Sequence, residues 1–143
     1  MYQRSPENMM PQKNKTEESP NIIEGHVCIG NNCQLEGPYS LGYLTAIDNG
    51  VSCNRNLKTE RDCLIKDGAN LGINVYLHTN SVIGRDCIIG NHVTVHSGSR
   101  IPDGTIILDY GNVYPNENDP ENEIIVYYPE KELNAPDSSE FDI

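Results

Sequence analysis

The chain has four histidines, at positions 26, 78, 92 and 96, and two of them share a spacing with chemical consequences. His78 and His96 are eighteen residues apart, and Glu60 stands eighteen residues before His78. A neutral imidazole beside a carboxylate can take a proton from a hydroxyl or an amine while the carboxylate orients the ring. Two imidazoles and a carboxylate are also adequate ligands for zinc or iron. Both uses require a backbone in which residues eighteen apart become neighbours.

That backbone is written in a period of six. Stepping by six from Ile83 gives Ile23, Ile29, Leu35, Leu41 and Ile47, continues through Ile65, Leu71, Leu77, Ile89 and Val95, and ends at Val113. Fourteen of these sixteen positions are Ile, Leu or Val, where the chain's composition would place about four by chance. Six is neither the helix period of 3.6 nor the strand period of two. Four residues after each aliphatic comes a small side chain such as Ala69, Ser81 or Cys87, suited to a cramped inward site. Three residues after it, ten of fifteen positions are Gly, Asn or Asp, the residues that enter the left-handed backbone region most easily. The position immediately after the aliphatic is Gly at 30, 42, 72, 84 and 90, and reads as part of the same tight turn. Three strand-and-turn units of six make a triangular coil of eighteen, and such coils stack as a solenoid. The pattern thins from Leu35 to Leu64, where Tyr39, Cys53, Leu57 and Thr59 depart from it, so distortion is expected there.

The units Ile83-Gly84-Arg85-Asp86-Cys87-Ile88 and Ile89-Gly90-Asn91-His92-Val93-Thr94 resemble hexapeptide repeats of the left-handed parallel β-helix superfamily. The resemblance covers Ile23 to about Asn112, or about five coils, and it alone supplies the left-handedness. It implies an acetyltransferase that uses acetyl-coenzyme A as co-substrate and a small-molecule acceptor. It also implies a homotrimer, with the active site between neighbouring prisms and a histidine as base. The same superfamily includes the gamma-class carbonic anhydrases, which bind metal through three histidines, and others that serve as non-catalytic scaffolds. The carbonic anhydrase pattern spaces two histidines five apart, whereas His92 and His96 here are four apart.

In this register His78, His96 and Glu60 all fall one position after the aliphatic, and stack about 4.8 Å apart along one corner, above Gly42 and Glu24. Three readings of the column stand side by side: a general-base site, a metal site, and an exposed corner with no chemical role. His96, His78 and Glu60 are the catalytic candidates, acetyltransfer is the favoured activity, and no metal is assigned. His92 falls at the turn position above Asn74 and Asn56 and reads as a turn residue in a polar ladder. Cys33, Cys63 and Cys87 take inward positions, as does Cys53, so they read as small buried apolar residues rather than ligands. Tyr39 and Tyr43 could line a pocket.

Two features depart from the acyltransferase pattern. The register contains no inserted loop, whereas many of these enzymes extrude one to carry or cover the site. The C-terminal segment is acidic, which repels a polyanionic co-substrate. Of the formal charge of −11, residues 109–143 hold ten acidic side chains and one basic, while residues 1–22 are balanced. No basic patch suggests nucleic acid or an anionic membrane.

The organisation expected is a disordered N-terminal arm over 1–22, a β-helix over 23–113, and an acidic tail over 114–143. Within that tail, 124–128 is β-prone and suited to covering the last coil or a neighbouring chain. The acidic tail is a candidate contact for a protein partner. Five cysteines without a C-x-x-C pair, no apolar run of membrane length and no signal-like N-terminus point to the cytoplasm.

Overall fold

A computed structural model describes residues 21–118 and 124–129. Seventeen short strands follow in order: β1 (Ile22–Ile23), β2 (Cys28–Ile29), β3 (Gln34–Leu35), β4 (Tyr39–Leu41), β5 (Ala46–Ile47), β6 (Ser52–Cys53), β7 (Leu57–Thr59), β8 (Leu64–Ile65), β9 (Asn70–Leu71), β10 (Tyr76–Leu77), β11 (Val82–Ile83), β12 (Ile88–Ile89), β13 (Thr94–Val95), β14 (Arg100–Ile101), β15 (Ile106–Ile107), β16 (Asn112–Pro115) and β17 (Ile124–Tyr127). Every third strand joins the same parallel sheet, so β1, β4, β7, β10, β13 and β16 form one face, and the other strands up to β15 form the remaining two. The pairing advances by eighteen residues per coil throughout, as in Ile23 with Leu41 and Leu77 with Val95. The result is an all-β solenoid of about five stacked coils.

The aliphatic at each sixth position points inward. From Leu41 to Val113 these side chains are almost wholly buried, and each buried Ile or Leu contributes roughly 1.5–3 kcal/mol. The small residues four places on fill the remaining core. Its polar members are satisfied: the Ser81 hydroxyl donates to the His78 carbonyl, and that of Ser99 to the His96 carbonyl.

The turn positions follow the sequence pattern closely. Among the described residues fourteen have positive φ, from His26 to Tyr110, and all lie three residues after an inward position; between those two residues only Pro38 at that place does not, its ring fixing φ negative. His92, with φ of 60°, is one of them, together with Leu44 and Tyr110. The glycines just after the aliphatic have a different reason. Their φ is not positive; they are small because the next coil presses on them. A Cβ on Gly84 would lie 2.6 Å from the Asp103 nitrogen and 2.7 Å from its Oδ1. The same Oδ1 accepts the Arg85 N–H at 2.8 Å, and Asn91 and Asp109 repeat this role above Gly72 and Gly90.

The coils between Leu35 and Leu64 keep the eighteen-residue register but depart from the regular turn at Gly37-Pro38, where the peptide bond is cis and φ of Pro38 is not positive. Thr59, the polar intruder at an inward position, is accommodated because its Oγ1 accepts the Gly42 N–H at 3.0 Å and shares a 2.9 Å hydrogen bond with Thr45. Beyond the last coil, β17 turns back and pairs antiparallel with β16, Val126 opposite Val113, with Ile124 and Val126 packed on the core. The proposed arm, apart from residues 21–22, and the acidic residues after 129 lie outside the described residues.

Candidate functional site

The predicted column is present on the corner that follows β7, β10, β13 and β16. Tyr76 and Leu77 pair with Lys58 and Thr59 below and with Thr94 and Val95 above, so Glu60, His78 and His96 emerge in line. Tyr114, one coil above His96, extends the line through β16.

Glu60 is held from every side. Its Oε2 accepts the Tyr76 hydroxyl at 2.7 Å and lies 3.3 Å from Nδ1 of His78. Its Oε1 accepts both the N–H and the hydroxyl of Thr79, each at 3.1 Å. The Tyr76 hydrogen bond does most to lower the Glu60 pKa, from an ordinary 4.5 to about 2, against partial desolvation, with help from Thr79 and the His78 charge. The same bond raises the pKa of Tyr76, whose ionisation would place a second anion there. Glu60 is therefore a fixed carboxylate set against Nδ1 of His78.

The rings above form one stack. Tyr76 lies against His78 with centroids 4.2 Å apart, His78 against His96 at 5.3 Å, and His96 against Tyr114 at 4.1 Å. Tyr127 of β17 closes the top edge-on to Tyr114, and Lys58 Nζ sits 4.9 Å from the Tyr76 centroid at the bottom. The two histidines differ sharply within this stack. His78 directs Nδ1 at a carboxylate, which favours the tautomer with Nδ1 protonated and Nε2 free to accept a proton. Among the described residues, Nε2 of His96 is buried and has no hydrogen-bond partner.

The stacked imidazole planes, 10° apart, do not converge their nitrogens on a common point. Among the described residues no group of three or more His, Cys, Asp or Glu side chains is placed to hold a metal ion. His92 stacks on Tyr110 and meets Asn74 Nδ2 through Nδ1 at 3.4 Å, a ladder of turn residues separate from the column. Cys53, Cys63 and Cys87 are buried, and burial raises their thiol pKa values, that of Cys53 to about 11.

An open groove of about 560 Å³ adjoins the lower part of the column, lined by Glu24, Ser40, Lys58, Glu60, Arg61 and Thr79. Through Ser40 and Lys58 it meets an apolar hollow of about 260 Å³, walled by Ile22, Pro38, Tyr39 and Leu57. Tyr39 thus lines the hollow and Tyr43 the groove. Among the described residues no helix is long and apolar enough to cross a membrane.

Sequence reasoning reached Glu60, His78 and His96 but not Tyr76, Thr79 or Tyr114. Tyr76 is two residues before His78, and residues two apart in a strand share a face. Tyr114 is eighteen after His96. Thr79 is nineteen after Glu60, the offset that sets Asn91 over Gly72 and Asp103 over Gly84.

The profile of the bacterial transferase hexapeptide family (six repeats) matches residues 62–97, a span that includes His78 and His96. No curated protein matches the chain.

Proposed function

We propose that this chain, a member of the hexapeptide-repeat superfamily of left-handed β-helices, catalyses acyl transfer with His78 as general base and Glu60 as the residue that orients it. The observation that carries the reading is the Glu60–His78 contact, with the carboxylate braced by Tyr76 and Thr79. A base needs one ring nitrogen fixed and the other open, and His78 meets both requirements. The acceptor's oxygen or nitrogen attacks the thioester carbonyl, its proton passes to Nε2 of His78, and the departing thiolate recovers that proton. In this account His96 is a stacking support, because its Nε2 is enclosed.

Acetyl-coenzyme A is the donor this reading carries. The groove beside Glu60 offers Lys58 and Arg61 to its phosphates, and Glu24 and Glu60 in the same lining limit that attraction. Hexapeptide-repeat proteins commonly form trimers, and a second copy packed along this corner would enclose a groove that is open in a single chain. The test is turnover of acetyl-coenzyme A with a panel of hydroxyl and amine acceptors, alongside a coenzyme A thermal-shift titration. His78→Ala should lose turnover while His96→Ala keeps most of it. No coenzyme-dependent shift and no turnover would leave the second reading, a scaffold, which the absence of any inserted loop between residues 21 and 118 favours.

A further inference from the structure

A second column of side chains eighteen residues apart stands on the corner that follows β2, β5, β8 and β11: Asn31, Asn49, Asp67, Arg85 and Asp103. Its members tie one coil to the next. Oδ1 of Asp103 accepts the Arg85 N–H at 2.8 Å, that of Asp67 the Asn49 N–H at 3.0 Å, and that of Asn49 the Asn31 N–H at 2.8 Å. Asn49, Asp67 and Asp103 are each followed by a glycine at positive φ, namely Gly50, Gly68 and Gly104. The chain's one Asn-Gly pair therefore occupies a place that the fold fills elsewhere with Asp-Gly.

An Asn-Gly pair carries its own reactants, because glycine has no Cβ to hinder its nitrogen. The Gly50 nitrogen loses its proton to solvent base and attacks Cγ of Asn49. The Cγ–Nδ2 bond breaks, ammonia departs with a proton from water, and a five-membered succinimide remains. Water then opens the ring. Attack at Cγ gives aspartate in an ordinary backbone, and attack at the main-chain carbonyl gives isoaspartate, with the chain running through Cβ. Water is the only co-reactant, and nothing is oxidised or reduced.

In the folded protein one residue holds both reacting groups. Asn31 donates its N–H to Oδ1 of Asn49, and its carbonyl accepts the Gly50 N–H at 2.9 Å. The Gly50 nitrogen reaches Cγ only after these bonds open. Asn31 belongs to the first coil, where burial is least: no residue from 21 to 40 is buried, and Ile29 is 40% exposed against 2% for Ile47 one coil up. Few buried contacts mean a low free energy of local opening. Asn49 and Gly50 are themselves exposed, so water reaches them.

We propose that Asn49-Gly50 is a deamidation site gated by the first coil, and that its conversion loosens that coil. The aspartate product keeps Oδ1 as an acceptor, as Asp67 and Asp103 do. It also sets a carboxylate one coil from that of Asp67, whereas Arg85 separates Asp67 from Asp103, so a modest repulsion follows. The isoaspartate product lengthens the main chain by one atom within the turn and moves both groups off Asn31. It is the product that releases the corner.

The test is peptide mapping by mass spectrometry of the full-length chain aged in mildly alkaline buffer, with enzymatic isoaspartate methylation to separate the two products. Asn49 should convert ahead of every other asparagine within residues 21–118, and faster still in urea. Ile29→Asp, which unseats the first coil, should speed conversion in native buffer at least ~10-fold, the change given by an opening about 1.4 kcal/mol easier. If that variant loses its cooperative melt, Ile29→Ala replaces it. Amide exchange at Ile29 and Asn31 should rise in the aged, isoaspartate-bearing protein and stay near the wild-type rate in Asn49→Asp. Earlier conversion at another asparagine, or a native rate at Asn49 that neither urea nor the Ile29 variant changes, overturns the proposal. An Asn49 that stays unmodified in all three conditions overturns it as well.

Discussion

The lower and upper halves of one column, built by the same repeat, have been given opposite chemistry. Below, Glu60 is tied to Tyr76, Thr79 and Nδ1 of His78 by polar contacts, and Nε2 of His78 stays open. Above, His96 and Tyr114 meet face to face, with a buried imidazole nitrogen that no described residue satisfies. The repeat sets where a side chain stands; the neighbour one coil above, eighteen or nineteen positions later, decides what that side chain can do. Thr79 provides two donors to Glu60, whereas His96 has the covering ring of Tyr114.

The largest expected effect follows from that division. His78→Ala should lower acyl transfer by ~10²–10⁴-fold, the range for removing a general base, while His96→Ala should change it far less. Equal losses in both variants, with folding intact, would remove the distinction between the two halves. Next is acid stability. Glu60 has a folded pKa of about 2 against an ordinary 4.5, so its favourable interactions are complete above about 4.5 and are lost as pH falls from there toward 2. Melting temperature should drop across that window in the wild type, less in Tyr76→Phe, and least in Glu60→Gln. An identical acid profile in Glu60→Gln would show that Glu60 is not the group responsible.

A smaller effect is expected of Tyr114. Removing its ring in Tyr114→Ala should cost ~0.5–1.5 kcal/mol from the lost stacking, beyond the surface it covers. Tyr114→Phe should recover most of that, because in this stack the ring provides the contact. A melt in which the two substitutions are equally damaging would point to the hydroxyl instead.

The period of six, the eighteen-residue coil and the alignment of Glu60 with His78 and His96 were all legible from spacing, because a solenoid converts sequence distance directly into spatial distance. The left-handed turns were legible for the same reason, and held even where Leu44, His92 and Tyr110 replace the usual Gly or Asn. Two features were not. The thinned pattern around Thr59 suggested distortion, yet its hydroxyl is paired with Gly42 and Thr45, a compensation visible only once side chains from neighbouring coils are placed. The glycines after each aliphatic look like turn residues in sequence, whereas their actual constraint is the approach of the coil above. Spacing likewise aligned the two histidines without distinguishing them. That distinction depends on ring orientation, which Tyr76 and Tyr114 impose.

The smallest effect is also the one whose sign decides most. A buried polar atom without a partner carries its desolvation cost uncompensated, and exchanging it for an apolar group of similar size can be neutral or stabilising. His96 Nε2 is such an atom, so His96→Leu should leave stability unchanged or raise it by a few tenths to ~1 kcal/mol even as part of the ring stack is lost. The same exchange at His78 strips Glu60 of one neighbour and should destabilise the protein at neutral pH. Paired thermal melts of His78→Leu and His96→Leu therefore test the column directly. If His96→Leu is the more damaging of the two, the upper imidazole has a polar partner, and it becomes the better candidate for the base.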